Sequence, residues 1–295
     1  LALYTSTPHF KLEGPSDQIA IPTSSFNFQE LADIYNQSRV DYIVPMPMNA
    51  RRMEEYVRNY DIDLDASAVS LNSNDEITGI GMLGVREERA WITRLGVIPE
   101  SRGRKTGQFL VQSLLHQARQ RQARQVQLEV IKGNDPAYNL FLKFGFRQTR
   151  ELLIIRRPPG IPTTRQLEDV SIRPLTVHEI APLLQQRLFK PSWIEETASI
   201  LKAGNLKGFE IKLEKGETGW IIFQLKAFQM EHVVFYTPDE NRELMTRALL
   251  YTLHQQYAKQ DTKIENLPAD SPVWPIFEEK GYVEAFRRYE MVLEL

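Results

Sequence analysis

Apolar and polar positions follow two rhythms along the first half of the chain. Val126, Leu128 and Val130 alternate with polar partners over residues 125–131, which predicts a strand. Leu110, Val111, Leu114, Leu115 and Ala118 recur at helical spacing, which predicts an amphipathic helix. Around these two, residues 26–38 and 49–60 read as helices. Residues 66–71, 77–85 and 90–97 read as successive strands, separated by turn-forming residues at 72–75 and 86–89. Residues 136–144 read as a short helix stopped by Gly145, and 151–157 as a closing strand.

The second half repeats this order. Residues 170–175 read as a strand, 177–186 as a helix, and 192–203 as another helix capped by Ser192. Strands follow at 209–213, 219–226 and 231–236. A long helix over 242–257 carries Leu249, Leu250 and Leu253 on one face, and a short helix over 271–280 stops at Gly281. Pro99, Leu110, Val111 and Leu114 match Pro238, Leu249, Leu250 and Leu253 at a constant offset of 139. Asn134, Phe141, Gly145 and Phe146 match Asp270, Phe277, Gly281 and Tyr282 at a constant offset of 136. Two long copies imply duplicated domains; a solenoid needs three or more short repeats. Three prolines and a glycine between Arg156 and Pro162 read as a linker. The expected organisation is a mixed α/β (α+β) domain over 1–157, a linker over 158–169 and a second domain over 170–295.

Composition narrows the class. The chain has 295 residues, 42% hydrophobic and 25% charged, as a folded globular protein does. Its formal net charge of -2 excludes nucleic-acid binding by bulk charge. The absence of cysteine removes disulfides, thiolate nucleophiles and Cys-based metal sites, and no His-Glu-x-x-His cluster suggests another metal. Residues 1–157 hold 20 basic and 18 acidic residues, and the remainder 16 and 20. An anionic ligand therefore belongs with the first half. No apolar run approaches the roughly 18 residues of a membrane span, and no basic-then-apolar leader is legible. The expectation is a cytoplasmic protein without membrane or nucleic-acid partners.

Chemistry concentrates in Val97-Ile-Pro-Glu-Ser-Arg-Gly-Arg-Lys-Thr-Gly-Gln-Phe-Leu110. A strand ends, a loop with two glycines and three cations follows, and a helix begins. Such a loop aims backbone N–H groups at one point, and the helix amino end adds partial positive charge, so a pyrophosphate fits. Gly103 and Gly107 permit close approach and positive φ. Arg102, Arg104 and Lys105 can neutralise phosphate oxygens. Neither the Walker spacing nor G-x-G-x-x-G is present. The plain alternative is a solvated basic turn before a surface helix.

Val97-x-Pro-x-x-Arg-Gly-x-x-x-Gly, a helix, a strand, then Asn134-x-x-Ala-x-x-Leu-Phe-x-x-x-Gly-Phe146 together resemble the GNAT N-acyltransferase superfamily. The resemblance covers most of residues 18–157 and is sharpest over 91–146. It implies two GNAT-like domains, each a mixed, mostly antiparallel twisted sheet flanked by helices. It further implies acetyl-CoA or another acyl-coenzyme A as co-substrate. The pyrophosphate would bind loop residues Arg102, Gly103, Arg104, Lys105, Thr106 and Gly107. The strand around Leu95 and Val97 would pair with pantetheine, and Asn134 would hold the pantetheine arm. Two departures stand out. The family usually has Gly where this chain has Lys105, and many members have a proton-donating Tyr where it has Phe141. Tyr138, one turn earlier, is the candidate substitute; its alternative is a packing aromatic.

The second copy resembles the same superfamily in element order, but its loop, Pro238-Asp-Glu-Asn-Arg-Glu-Leu-Met-Thr246, has no glycine and three carboxylates. Desolvated carboxylates facing a diphosphate would repel it. This copy reads as degenerate, serving to cover the first domain or shape its acceptor pocket.

The implied reaction is direct acyl transfer from thioester to a primary amine of a small-molecule or peptide acceptor. Glu129 is the candidate base, against a plain reading as solvent-facing. Met46, Met48, Tyr56, Arg51 and Arg52 are candidates for the acceptor side. His116 and His254 lie on long helices, where a packed or surface role is expected in preference to catalysis. Two alternatives accompany the enzyme: a catalytically silent coenzyme-A-binding sensor, and a structural interaction protein.

Overall fold

The computed structural model describes residues 18–162, 170–187 and 190–295. Residues 1–17 of the expected first domain and 163–169 of the expected linker lie outside them. The chain divides into two compact units. Unit 1 runs to Thr149 and takes back Glu290–Leu295; unit 2 is Arg150–Tyr289.

In unit 1 the strands β1 (Ile19–Pro22), β2 (Ala68–Leu71), β3 (Ile77–Arg86), β4 (Arg89–Val97) and β5 (Gln125–Ile131) neighbour one another in chain order. The first three pairings are antiparallel and β4–β5 is parallel. A parallel pair needs a crossover, which α3 (Thr106–Gln120) supplies. Leu110, Leu114 and Leu115 of α3 are buried with Ile80, Met82 and Leu83 of β3. Each such side chain contributes about 1.5–3 kcal/mol on burial. A Cβ on Gly81 would lie 2.8 Å from Leu114 Cδ1, so glycine lets the helix settle on the sheet. Beyond β5, residues of the final strand complete the unit. The Leu295 amide donates to Arg124 O at 2.8 Å, and Gln125 Nε2 donates to Glu294 Oε1 at 2.7 Å.

Asparagines start three helices of this unit. Asn27 caps α1 (Phe28–Gln37) in a capping box with Glu30. Asn49 caps α2 (Ala50–Asn59) by accepting from the Arg52 amide. Asn134 caps α4 (Asp135–Lys143) by accepting from the Ala137 amide at 3.3 Å.

Unit 2 has the same mixed sheet. From Arg150 onward, β6 (Arg147–Arg157) is followed by β11 (Asp261–Pro268), β10 (Gln229–Tyr236), β9 (Thr218–Leu225), β8 (Leu206–Lys212) and β7 (Ser171–Pro174). Only β10–β11 is parallel. Leu249, Leu250 and Leu253 of α7 (Arg242–Gln256) pack with Phe223, Ile264, Phe277 and Tyr282. The expected fold class, two mixed and mostly antiparallel sheets with helices, holds.

Several elements differ from expectation. The helix expected over 192–203 is a 3-10 turn at Trp193–Glu195, then α6 (Thr197–Ala203), because Glu196 between them is extended (ψ 150°). Ser192 caps neither; its Oγ accepts from Asn266 Nδ2 at 2.9 Å. The sequence reading had no β1, no β11 and no β12 (Val283–Glu294). Of the packed and surface roles expected for His254, the structure shows the packed one. The residue is 1% exposed, its Nε2 shares a 2.9 Å hydrogen bond with the Tyr282 hydroxyl, and burial, aided by the Arg157 charge, pushes its pKa down to about 3.

Candidate functional site

The parallel strands of unit 1 pair only at their beginnings, from Arg89↔Gln125 to Ile92↔Leu128. Just beyond, the β3–β4 register shifts between Ile80 and Met82, and Arg94 takes a φ of +50°. This bulge turns β4 away from β5. Among the described residues no strand pairs with Thr93–Val97 on the β5 side, so its main chain is open to an added, strand-like ligand. The Leu95 and Val97 side chains pack with Ala20, Ala68, Phe109 and Leu110, leaving the backbone of these two candidates as the part available for binding.

A 3-10 turn (Pro99–Ser101) leads from β4 into the loop. Gly103 has φ +76° and Lys105 φ +64°. The second left-handed residue is therefore Lys105, the position where the family usually has glycine. Gly107, expected to use positive φ, does not; it is the second residue of α3. A Cβ there would approach Leu140 Cδ2 to 3.3 Å and Val97 Cγ2 to 3.6 Å, so its glycine serves close packing of α3. The Thr106 side chain is buried, its Oγ1 accepting from Gln18 Nε2 at 3.1 Å, so only its amide is available to a ligand.

Unlike its three neighbours, α3 has no side-chain cap, and the amides of its first turn have no intrahelical acceptor. Arg104 and Lys105 are exposed beside them, with no ion pair among the described residues. Arg102 differs. Its guanidinium donates to both carboxylate oxygens of Asp41 at 2.6 and 2.7 Å, and to Val97 O and Ser38 O. The hydrogen bond to Arg102 lowers the Asp41 pKa, and the same bond raises that of Arg102. Arg102 thus clasps the loop to the α1–α2 connection, and a phosphate would have to compete with Asp41 for it.

A second tie crosses the same connection. Asn134 Nδ2 donates to the Tyr42 hydroxyl at 3.1 Å while Asn134 Oδ1 caps α4. On α4, Phe141 is 4% exposed and edge-on to Phe146, and the Tyr138 hydroxyl donates to Gln148 Oε1 at 3.1 Å. Glu129 is half-buried, with Oε2 accepting from Trp91 Nε1 at 2.7 Å.

Sequence reasoning missed an arginine–tyrosine cluster beside Glu129. Arg94, at the bulge, lies 4.1 Å from the Tyr56 ring centroid and donates to the Tyr35 hydroxyl at 3.1 Å. Tyr56 is buried and shares a 2.5 Å hydrogen bond with Thr93 Oγ1. Burial outweighs the opposing Arg94 charge and pushes the Tyr56 pKa up to about 12. Arg39 lies 3.5 Å from the Tyr42 ring centroid. One signal was present: Arg94 is a lone charge in an otherwise uncharged strand interior. Of the acceptor candidates, Met46 and Met48 are half-buried, whereas Arg51 pairs with Glu55 on the surface.

The family model described as Acetyltransferase (GNAT) family matches residues 29–146. A Bacillus subtilis (strain 168) protein named "Putative ribosomal protein bS18-alanine N-acetyltransferase" is 30% identical over 77 residues. That match spans 26% of this chain and 51% of the relative, about half its length. A GCN5-related N-acetyltransferase from Sphaerobacter thermophilus has a similar structure, with TM-score 0.70 at 18% identity, over 96% of this chain and 97% of that one. A tandem GNAT protein from the clavulanic acid biosynthesis pathway aligns with TM-score 0.65 at 12% identity, over 94% and 98%. With the splayed β4–β5 pair and the loop before α3 lying inside it, the segment 29–146 matches the GNAT acetyltransferase family model, and the fold of the chain is similar to that of solved GCN5-related N-acetyltransferases, a tandem GNAT protein among them.

Proposed function

We propose that unit 1 transfers an acyl group, acetyl from acetyl-coenzyme A, directly to a primary amine of a small-molecule or peptide acceptor. The observation that supports this most is the amino end of α3, left without a side-chain cap beside exposed Arg104 and Lys105. Open amides, the helix dipole and two cations suit a diphosphate. The main chain of Thr93–Val97, open on its β5 side, continues from that point and suits the amide-bearing pantetheine arm. Arg102 would join the diphosphate by exchanging Asp41 for a phosphate oxygen.

Attack requires a neutral amine, and Glu129 is the group proposed to take its proton. Trp91 Nε1 orients that carboxylate. Main-chain amides near Val97 would stabilise the oxyanion. Tyr138 is proposed to protonate the leaving thiolate, which requires its hydroxyl to leave Gln148. A second reading, a coenzyme-A-binding protein without turnover, draws on buried Phe141 at the family's usual donor position.

Calorimetry and free-thiol release on the full chain separate these readings. The expected result is about one equivalent of acetyl-coenzyme A per chain, with amine-dependent thiol release. Tyr138→Phe should lower turnover about 10²–10⁴-fold with little change in donor binding. Binding without release across amines would favour the second reading, and no binding would overturn both. Wild-type turnover in Tyr138→Phe would remove Tyr138 from the mechanism.

A further inference from the structure

Unit 2 keeps a cleft at the same point of its fold but surrounds it with different chemistry. β10 and β11 pair only at Gln229↔Asp261 and Met230↔Thr262. His232 then takes a φ of +49° where the β9–β10 register shifts, repeating the bulge at Arg94. A cavity of about 410 Å³ lies beyond, walled by apolar residues including Val234, Leu267 and Val273. That volume is within the range of small-molecule sites.

The charges on its walls do not balance locally. Glu195 faces His232 at 3.7 Å, Asp239 pairs with Arg242, and Glu265 pairs with Lys263 at 2.5 Å and Arg288 at 2.8 Å. Asp270 is exposed at the rim. Arg187 is the contrasting cation. Its guanidinium donates to Leu184 O at 2.9 Å, Glu195 O at 2.8 Å and Thr197 Oγ1 at 3.3 Å, all neutral acceptors. The charges of Glu195 and Glu196 act on it from nearby, but its hydrogen bonds go to neutral oxygens. Five N–H groups are available and three serve these bonds, which leaves two. Burial pulls the guanidinium's pKa down, against the opposing charges of Glu195 and Glu196. Ser192 lines the same cavity and is 3% exposed; its Oγ accepts from Asn266, so its own proton is left to donate.

We infer that this cavity binds a small monocarboxylate with an apolar body, its carboxylate held by Arg187 and the Ser192 hydroxyl. A guanidinium fork matches a carboxylate in shape and charge. The apolar walls take the body of the ligand. The loop before α7 lacks glycine and carries Asp239 and Glu240, with Glu243 in the first turn of the helix, so a doubly charged diphosphate is disfavoured at that helix start, whereas a single carboxylate is held away from it at Arg187.

Octanoate is the probe and octanamide its neutral counterpart, titrated calorimetrically into the full chain. One octanoate per chain is expected, with octanamide at least tenfold weaker. Arg187→Met should weaken octanoate at least tenfold, and Arg187→Lys should retain part of the affinity. Arg187 also holds main-chain oxygens, so Ser271→Trp provides an independent variant, filling the cavity from another lining position. It should abolish octanoate binding while unit 1 still binds acetyl-coenzyme A. Equal affinity for octanamide, no saturable octanoate binding, or unchanged affinity in a folded Arg187→Met or Ser271→Trp chain would overturn the inference.

Discussion

Lys105 occupies a backbone conformation that favours glycine, and it does so at the entrance to α3. A side chain there costs on the order of 1 kcal/mol, which a cation beside the proposed diphosphate would offset through binding. Lys105→Gly should therefore separate two quantities that usually fall together. Chemical denaturation should find the variant more stable by on the order of 1 kcal/mol, and calorimetry should find acetyl-coenzyme A bound more weakly. A variant that is both less stable and equally tight would refute this account. The loop's composition was legible in the sequence because glycines and cations are local signals. The use of each residue was not. Arg102 is spoken for by Asp41, sixty-one positions away, and Gly107 is required by Leu140 packing. Both facts depend on which distant residues the fold brings alongside.

Among the elements, α4 would join stability to the proposed ligand binding through one residue. Asn134 caps the helix with its oxygen and holds Tyr42 with its nitrogen. Asn134→Ala should lose both roles, at about 1 kcal/mol for the cap. Asn134→Asp keeps a capping oxygen and removes the amide donor, so its stability should stay near wild type while acetyl-coenzyme A binding falls. Equal donor affinity in both variants and wild type would detach Asn134 from the site.

The α7 helix carries a pH-dependent liability. His254 accepts a proton near 6.5 when unfolded but only near 3 when folded. The unfolded state thus binds more protons across that interval, and stability falls as pH drops from about 6.5 towards 3. His254→Gln should flatten this limb, narrowing the stability gap between neutral pH and pH ~4.5 by on the order of 2 kcal/mol. An unchanged gap would mean the ring is solvated. Elements escaped the sequence reading where bulges broke their period. In β11 the register shifts between Ile264 and Leu267, and Asn266 takes a φ of +60°, so the apolar spacing of a strand is lost. In β12 the run Phe-Arg-Arg-Tyr-Glu carries too much charge to show alternation. By contrast, α3 and β5 have unbroken periods: the residues expected on one helix face all fall within α3, and β5 has the bounds expected for it.

For the whole chain, the sequence boundary at 157 and the structural one do not coincide. Unit 1 ends at Thr149 and includes Glu290–Leu295. Duplication was legible from the two constant offsets, but this return of the chain was not, since no local signal marks a strand's partner. Removing residues 290–295 should therefore destabilise unit 1. Hydrogen exchange on the shortened chain should find Gln125–Ile131 less protected, because its neighbour has gone. Unaltered protection there would assign those residues a purely peripheral role.

The same return orders events during synthesis. A ribosome normally releases domains that fold one after another, amino end first. Here residues 290–295 are translated after all of unit 2, so unit 1 waits with an unfinished sheet edge while roughly half the protein is still being made. An open edge is a hazard for mispairing. The coenzyme A capture proposed for unit 1, if it needs a finished sheet, would then begin only once translation has passed the second fold.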